Sequence, residues 1–207
     1  MFLTPPLPPL PPLPPLPPLP GTGNGRDTPN NRRIPTDHRQ SLSPDGKTLY
    51  SASSDGKLRA LSASNGTVVW AVAVGGVVDG SSPAVSSDGT IYIGSLGSFM
   101  YAVSPQGSVR WKLKTDGMIQ SSAAIDEGER RATGNATLYF TSFKASLYAV
   151  DAASGAVQWT ARIGSTSFSS PAIGRRGVYV GANDGGVYGW RAAAAAIAAP
   201  QPPTALR

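Results

Sequence analysis

Four tyrosines, Tyr50, Tyr92, Tyr139 and Tyr179, each sit in a short apolar run, and a second such run follows nine residues later, centred on Arg59, Tyr101, Tyr148 and Tyr188. The nine-residue offset holds in every copy, although the copies lie 42, 47 and 40 residues apart. A chain with this period must build one small unit repeatedly and bury each unit against its neighbours. Short strands and turns at such spacing predict β-propeller blades.

Aligned on the tyrosines, the first unit predicts strands over 40–43, 48–53, 57–62 and 68–74, and the second over 82–85, 90–95, 99–104 and 109–115. The third predicts 122–125, 137–142, 146–151 and 157–163. Aromatic and β-branched residues fill these runs. Turn chemistry separates them, as in Pro44-Asp45-Gly46, Ser54-Asp55-Gly56, Asn65-Gly66, Asp88-Gly89 and Asn183-Asp184-Gly185. Strands such as Thr90-Ile91-Tyr92-Ile93-Gly94 are apolar on both faces, which suits a sheet held between two other sheets. The third unit carries a charged insertion within Asp126–Asn135. The fourth stops early: its outer strand should fall near Ala199, inside a polyalanine stretch. The expectation is therefore an all-β propeller of about four four-stranded antiparallel blades (40–74, 81–115, 121–163 and 169–191). Three are complete and one lacks its outer strand, in a partial or open ring of 15 strands.

The segment Ala149-Val150-Asp151-Ala152-Ala153-Ser154-Gly155-Ala156-Val157-Gln158-Trp159 matches a tryptophan-docking pattern, Ala-x-Asp-x-x-Thr-Gly-x-x-x-Trp, with Ser in place of Thr. A second copy runs from Ala60 to Trp70, and a copy one residue shorter from Ala102 to Trp111. Ser-Ser-Pro-Ala opens at Ser81 and at Ser169. In these features the unit resembles the pyrroloquinoline quinone (PQQ)-like propeller repeat of quinoprotein dehydrogenases, in its non-catalytic form. The resemblance implies that Trp70, Trp111 and Trp159 are blade-docking residues, with Asp151 and Gly155 in the motif. It also implies the family's chemistry: PQQ on the propeller axis, Ca²⁺ held by Glu and Asn, and an Asp base. The acids of this chain do not match those ligand positions. Asp45, Asp55, Asp88 and Asp184 precede or adjoin turn glycines, where an Asx turn accounts for them. PQQ with Ca²⁺ is not expected.

The absence of cysteine excludes disulfides, thiolate metal sites and thiol nucleophiles. The net charge of +6 is spread along the chain, without the basic stripe that marks a nucleic-acid surface. No run spans a bilayer and no secretory signal opens the chain, so the cytoplasm is the default compartment. His38 stands alone in a polar linker and supports neither a metal site nor a triad. Residues 1–39 read as a disordered proline-rich arm and 192–207 as a disordered Ala/Pro-rich tail. In the arm, Pro5, Pro6, Leu7 and Pro8 begin a repeat that places Leu7, Leu10, Leu13, Leu16 and Leu19 at period three. That is one stripe along a polyproline II rod, similar to ligands of WW-type domains.

The sequence thus predicts a non-enzymatic repeat protein that acts as a protein-interaction scaffold, with an unidentified protein partner and a homodimer that completes the ring. The alternatives are a partial or inactive quinoprotein dehydrogenase, or a proline-rich ligand carried on a structural propeller.

Overall fold

The computed structural model describes residues 39–127, 136–175, 177–191 and 204–206. The Pro5–Leu19 stripe, His38, residues 128–135 of the charged insertion and most of the C-terminal tail lie outside the described residues.

Among the described residues there are sixteen strands and no helix. The first sheet comprises β1 (Arg39–Leu42), β2 (Thr48–Ser53), β3 (Lys57–Ser62) and β4 (Val68–Ala73). The second comprises β5 (Ala84–Val85), β6 (Ile91–Ser95), β7 (Phe99–Val103) and β8 (Val109–Lys114). β9 (Ala124–Asp126), β10 (Thr137–Ser142), β11 (Ser146–Asp151) and β12 (Val157–Arg162) make the third, and β13 (Ala172–Gly174), β14 (Gly177–Gly181), β15 (Val187–Arg191) and β16 (Thr204–Leu206) the fourth. Each sheet is an antiparallel meander in chain order.

The fourth sheet corrects the sequence reading, because it has its outer strand. β16 pairs with β15, with Val187 opposite Leu206, Tyr188 opposite Ala205 and Gly189 opposite Thr204. The strand lies five positions beyond the expected Ala199, inside the segment assigned to the tail. Thr-Ala-Leu is short and carries no tryptophan, so neither periodicity nor the docking motif marks it.

Register explains why the tyrosine period is so regular. Tyr50 lies opposite Ala60 and Ala60 opposite Trp70. The rows Tyr92–Ala102–Trp111 and Tyr139–Ala149–Trp159 repeat this across the second and third sheets. The central alanines are fully buried, and the flanking rings meet over them at centroid distances of 5.9, 5.9 and 5.8 Å. One residue beyond each alanine the register shifts by a bulge, which sharpens the local twist. In the fourth sheet the row reads Tyr179–Gly189–Thr204.

Strand alternation sends successive side chains to opposite faces. Tyr50, Ala52, Leu58 and Ala60 of the first sheet face Ile91, Ile93, Tyr101 and Val103 of the second. Tyr92, Met100 and Ala102 then face Leu138, Phe140, Tyr148 and Val150 of the third. Tyr139, Leu147 and Ala149 face Val178, Val180 and Trp190 of the fourth. Four sheets are thus joined by three apolar cores, and among the described residues no core joins the fourth to the first. On the inner edge, the Ser82 amide donates to Ser122 Oγ (2.8 Å) and the Ser122 amide to Ser170 Oγ (2.9 Å), so one serine position stitches consecutive blades.

Candidate interaction surfaces

The first two joints between blades are built the same way. Trp70, on the outer strand of the first sheet, donates from Nε1 to the Pro105 carbonyl of the second blade (2.8 Å). Its ring covers Gly107, where an added Cβ would lie 2.8 Å from the indole. Trp111 repeats the contact on the third blade, donating to the Ala152 carbonyl (3.0 Å) and covering Gly155. Gly107 and Gly155 have φ of +86° and +76°, so this position requires glycine for both backbone and space. Asp151 organises the turn that presents Gly155, its Oδ1 accepting from the Ser154 amide and hydroxyl at 2.8 and 2.7 Å. Trp159 packs against Tyr139 with the two rings tilted and borders the core shared with the fourth sheet.

The two ends of the row differ. On the face that looks back toward a preceding blade, the second to fourth blades carry Ile93, Phe140 and Val180 one residue after the key tyrosine, and Tyr101, Tyr148 and Tyr188 nine after it. These tyrosines reach the previous connection: the Tyr101 hydroxyl lies over Gly75, Tyr148 accepts from the Asp116 amide (3.0 Å), and Tyr188 lies over Gly164. The first blade has Ser51 and Arg59 at those positions. Arg59 turns onto its own blade, pairing with Asp55, while Ser53 also donates to Asp55. Around those two positions the face is polar and internally satisfied, while Leu49, Leu61, Val69, Ala71 and Ala73 make other parts of it apolar. At the other end, Val187 is 43% exposed, whereas its counterparts Leu58, Met100 and Leu147 are fully buried. Beside it lie Tyr179 and Gly189, so the last face keeps an apolar pattern with nothing described against it.

A third surface lies on the side that carries the turns between second and third strands and the connections between blades. Phe143 in the β10–β11 turn meets Phe168 in the connection to the fourth blade at a centroid distance of 5.6 Å. The Phe143 amide donates to the Met118 carbonyl (2.8 Å), and all three side chains are exposed. Sequence reasoning missed this cluster because it lies between strands. Its signal was an aromatic at a turn position that holds Ser54 in the first unit and Asn183 in the fourth.

The carboxylates serve turns and connections. Asp88 sits well below the ordinary carboxylate range, first through the Ser86 hydroxyl and then through the Thr90 amide and hydroxyl and Arg110. Asp55 is lowered chiefly by Arg59. At Asp116 burial pushes upward, but the hydroxyls of Ser142 and Ser146 and the Tyr148 contact outweigh it and the net shift is downward. Each of these acids is stabilised as the anion; none is held in the protonated form that a general acid needs. Among the described residues no cluster of three or more His, Cys, Asp or Glu could hold a metal ion.

The sequence model of the family described as outer membrane protein assembly factor BamB matches residues 101–198. These are PQQ-like propeller repeats. Three solved propellers share the fold with this chain. BamB from Moraxella catarrhalis has 20% identity, covers 73% of this chain and 45% of its own, and gives a TM-score of 0.61. U3-55K has 20% identity, 74% and 48% coverage and a TM-score of 0.62. The WD40 repeats of RRP9 have 21% identity, 73% and 46% coverage and a TM-score of 0.60. This chain thus spans about half the length of these structures. No curated protein matches it in sequence. No helix among the described residues is long and apolar enough to cross a membrane.

Proposed function

We propose that this chain is a non-enzymatic scaffold that holds an apolar segment of a protein partner on its loop face, through Met118, Phe143 and Phe168. The observation that carries this reading is that the Phe143 and Phe168 rings pack on each other while both stay exposed. Grouped exposed aromatics are the usual anchors of protein interfaces. The match to a family described as an assembly factor supports the same class of function.

Ring completion by a second copy has less support. Placed head to tail, Tyr179 and Val187 of one copy would meet Ser51, Ser53 and the Arg59–Asp55 pair of the other, which sets apolar side chains on polar ones.

The test places a photo-crosslinking phenylalanine analogue at Phe143 in cells that make the protein. One partner should be captured there, and Phe168→Ser should reduce the adduct about tenfold, the loss of roughly one interface anchor. The same analogue at Val157 on β12 should capture nothing specific. Equal capture at Val157, or none at Phe143, overturns the loop-face reading. Capture that disappears on deletion of residues 1–39 transfers it to the proline-rich arm. An absorbance shift on adding PQQ with Ca²⁺ would favour the quinoprotein alternative.

A further inference from the structure

The outer strands of the first three blades occupy equivalent places but carry different surfaces. Between the residues that face the next blade, β8 carries Arg110, Lys112 and Lys114, and β12 carries Gln158, Thr160 and Arg162. Cationic and polar side chains at such positions keep a second strand from pairing with the open edge. β4 has none: it reads Val68-Val69-Trp70-Ala71-Val72-Ala73. Val69, 63% exposed, and Val68, 56% exposed, are the two most exposed large hydrophobic residues among those described. No described strand pairs with the outer edge of β4.

We propose that β4 joins two copies of this chain, pairing antiparallel with the β4 of the second copy across a two-fold axis. The two four-stranded sheets then form one continuous sheet. Charge selects this occupant. A two-fold pairing brings each strand against itself, so β8 would set its cations against one another, whereas β4 sets neutral residues against neutral ones. β4 also offers no charge with which to recognise a charged partner strand, and the strand it complements is its own. Sterics select the register. Centred on Ala71, the exposed row pairs large with small, Val69 opposite Ala73. Centred on Trp70, it would oppose two indoles already committed to Gly107 of their own chains. A joint of six residues per strand falls below about 1,200 Å², in the weak class, so the dissociation constant should be on the order of 10–100 μM.

Sedimentation equilibrium of the full chain, from about 1 to 500 μM, reads the association. Val69→Lys should weaken it at least about tenfold without lowering the melting temperature, because the side chain is exposed and the lysine restores the edge protection. Val187→Asp, on the last blade, should leave it unchanged. The absence of cysteine makes Ala71→Cys a clean probe: it should form an intermolecular disulfide at the two-fold, while Thr160→Cys at the equivalent position of β12 should not. The proposal is overturned by a chain that stays monomeric throughout, by Val69→Lys associating like the wild type, or by association lost with Val187→Asp instead. The last outcome would place the contact on the fourth blade's open face. None of these outcomes bears on capture at Phe143, so the two readings fail separately.

Discussion

At the scale of single residues, one small side chain controls each of the first three blades. Ala60, Ala102 and Ala149 are fully buried between a tyrosine and a tryptophan, and a larger residue there would separate the two rings. The docking glycines act at the same scale, and two substitutions separate their two constraints. Gly46 has φ +71° with nothing within 4 Å of an added Cβ, so Gly46→Ala should cost only the left-handed backbone term, about 1 kcal/mol. Gly155 has a similar φ, but its Cβ would fall 2.7 Å from Trp111, so Gly155→Ala should cost about 3 kcal/mol. Urea midpoints of the two variants check this. Equal losses would mean that Trp111 moves aside freely.

At the scale of elements, the last strand is the one to test. β16 covers the edge of β15 with three residue pairs. Deleting residues 204–207 should speed amide hydrogen exchange across β15 by about tenfold or more while leaving β6 and β10 protected, since local pairing alone is lost. Unchanged protection in β15 would mean that β16 contributes no stability. This strand also marks where the sequence stopped being legible. β2, β3, β10 and β11 were readable to the residue, because tyrosine spacing and Asx turns fix both of their ends. The inner strands shifted by one or two positions, since serines and prolines serve equally as strand or connection there. β16 was invisible because recognition of an outer strand depended on its tryptophan, and Thr204 stands in that row instead. The Met118, Phe143 and Phe168 cluster escaped for the opposite reason: strand periodicity carries no information about turns.

At the scale of the whole molecule, four blades in a row share three joints, so stability accumulates from one neighbour to the next. The middle joint holds Phe140, fully buried and stacked on Tyr148 at 5.1 Å. Phe140→Ala should cost about 3–5 kcal/mol and split a single melting transition into two, because the halves on either side keep their own cores. A melt that stays single, followed by calorimetry, would show that the blades unfold together whatever the middle joint contributes. The tryptophans give that experiment its own readout. Trp70, Trp111 and Trp159 each lie at a different joint, and the first two donate their indole N–H to the neighbouring blade, whereas the buried Trp190 has no acceptor among the described residues. With one indole retained at a time, the emission colour should report which joint has opened. The chain carries a separate fluorescent gauge at every seam.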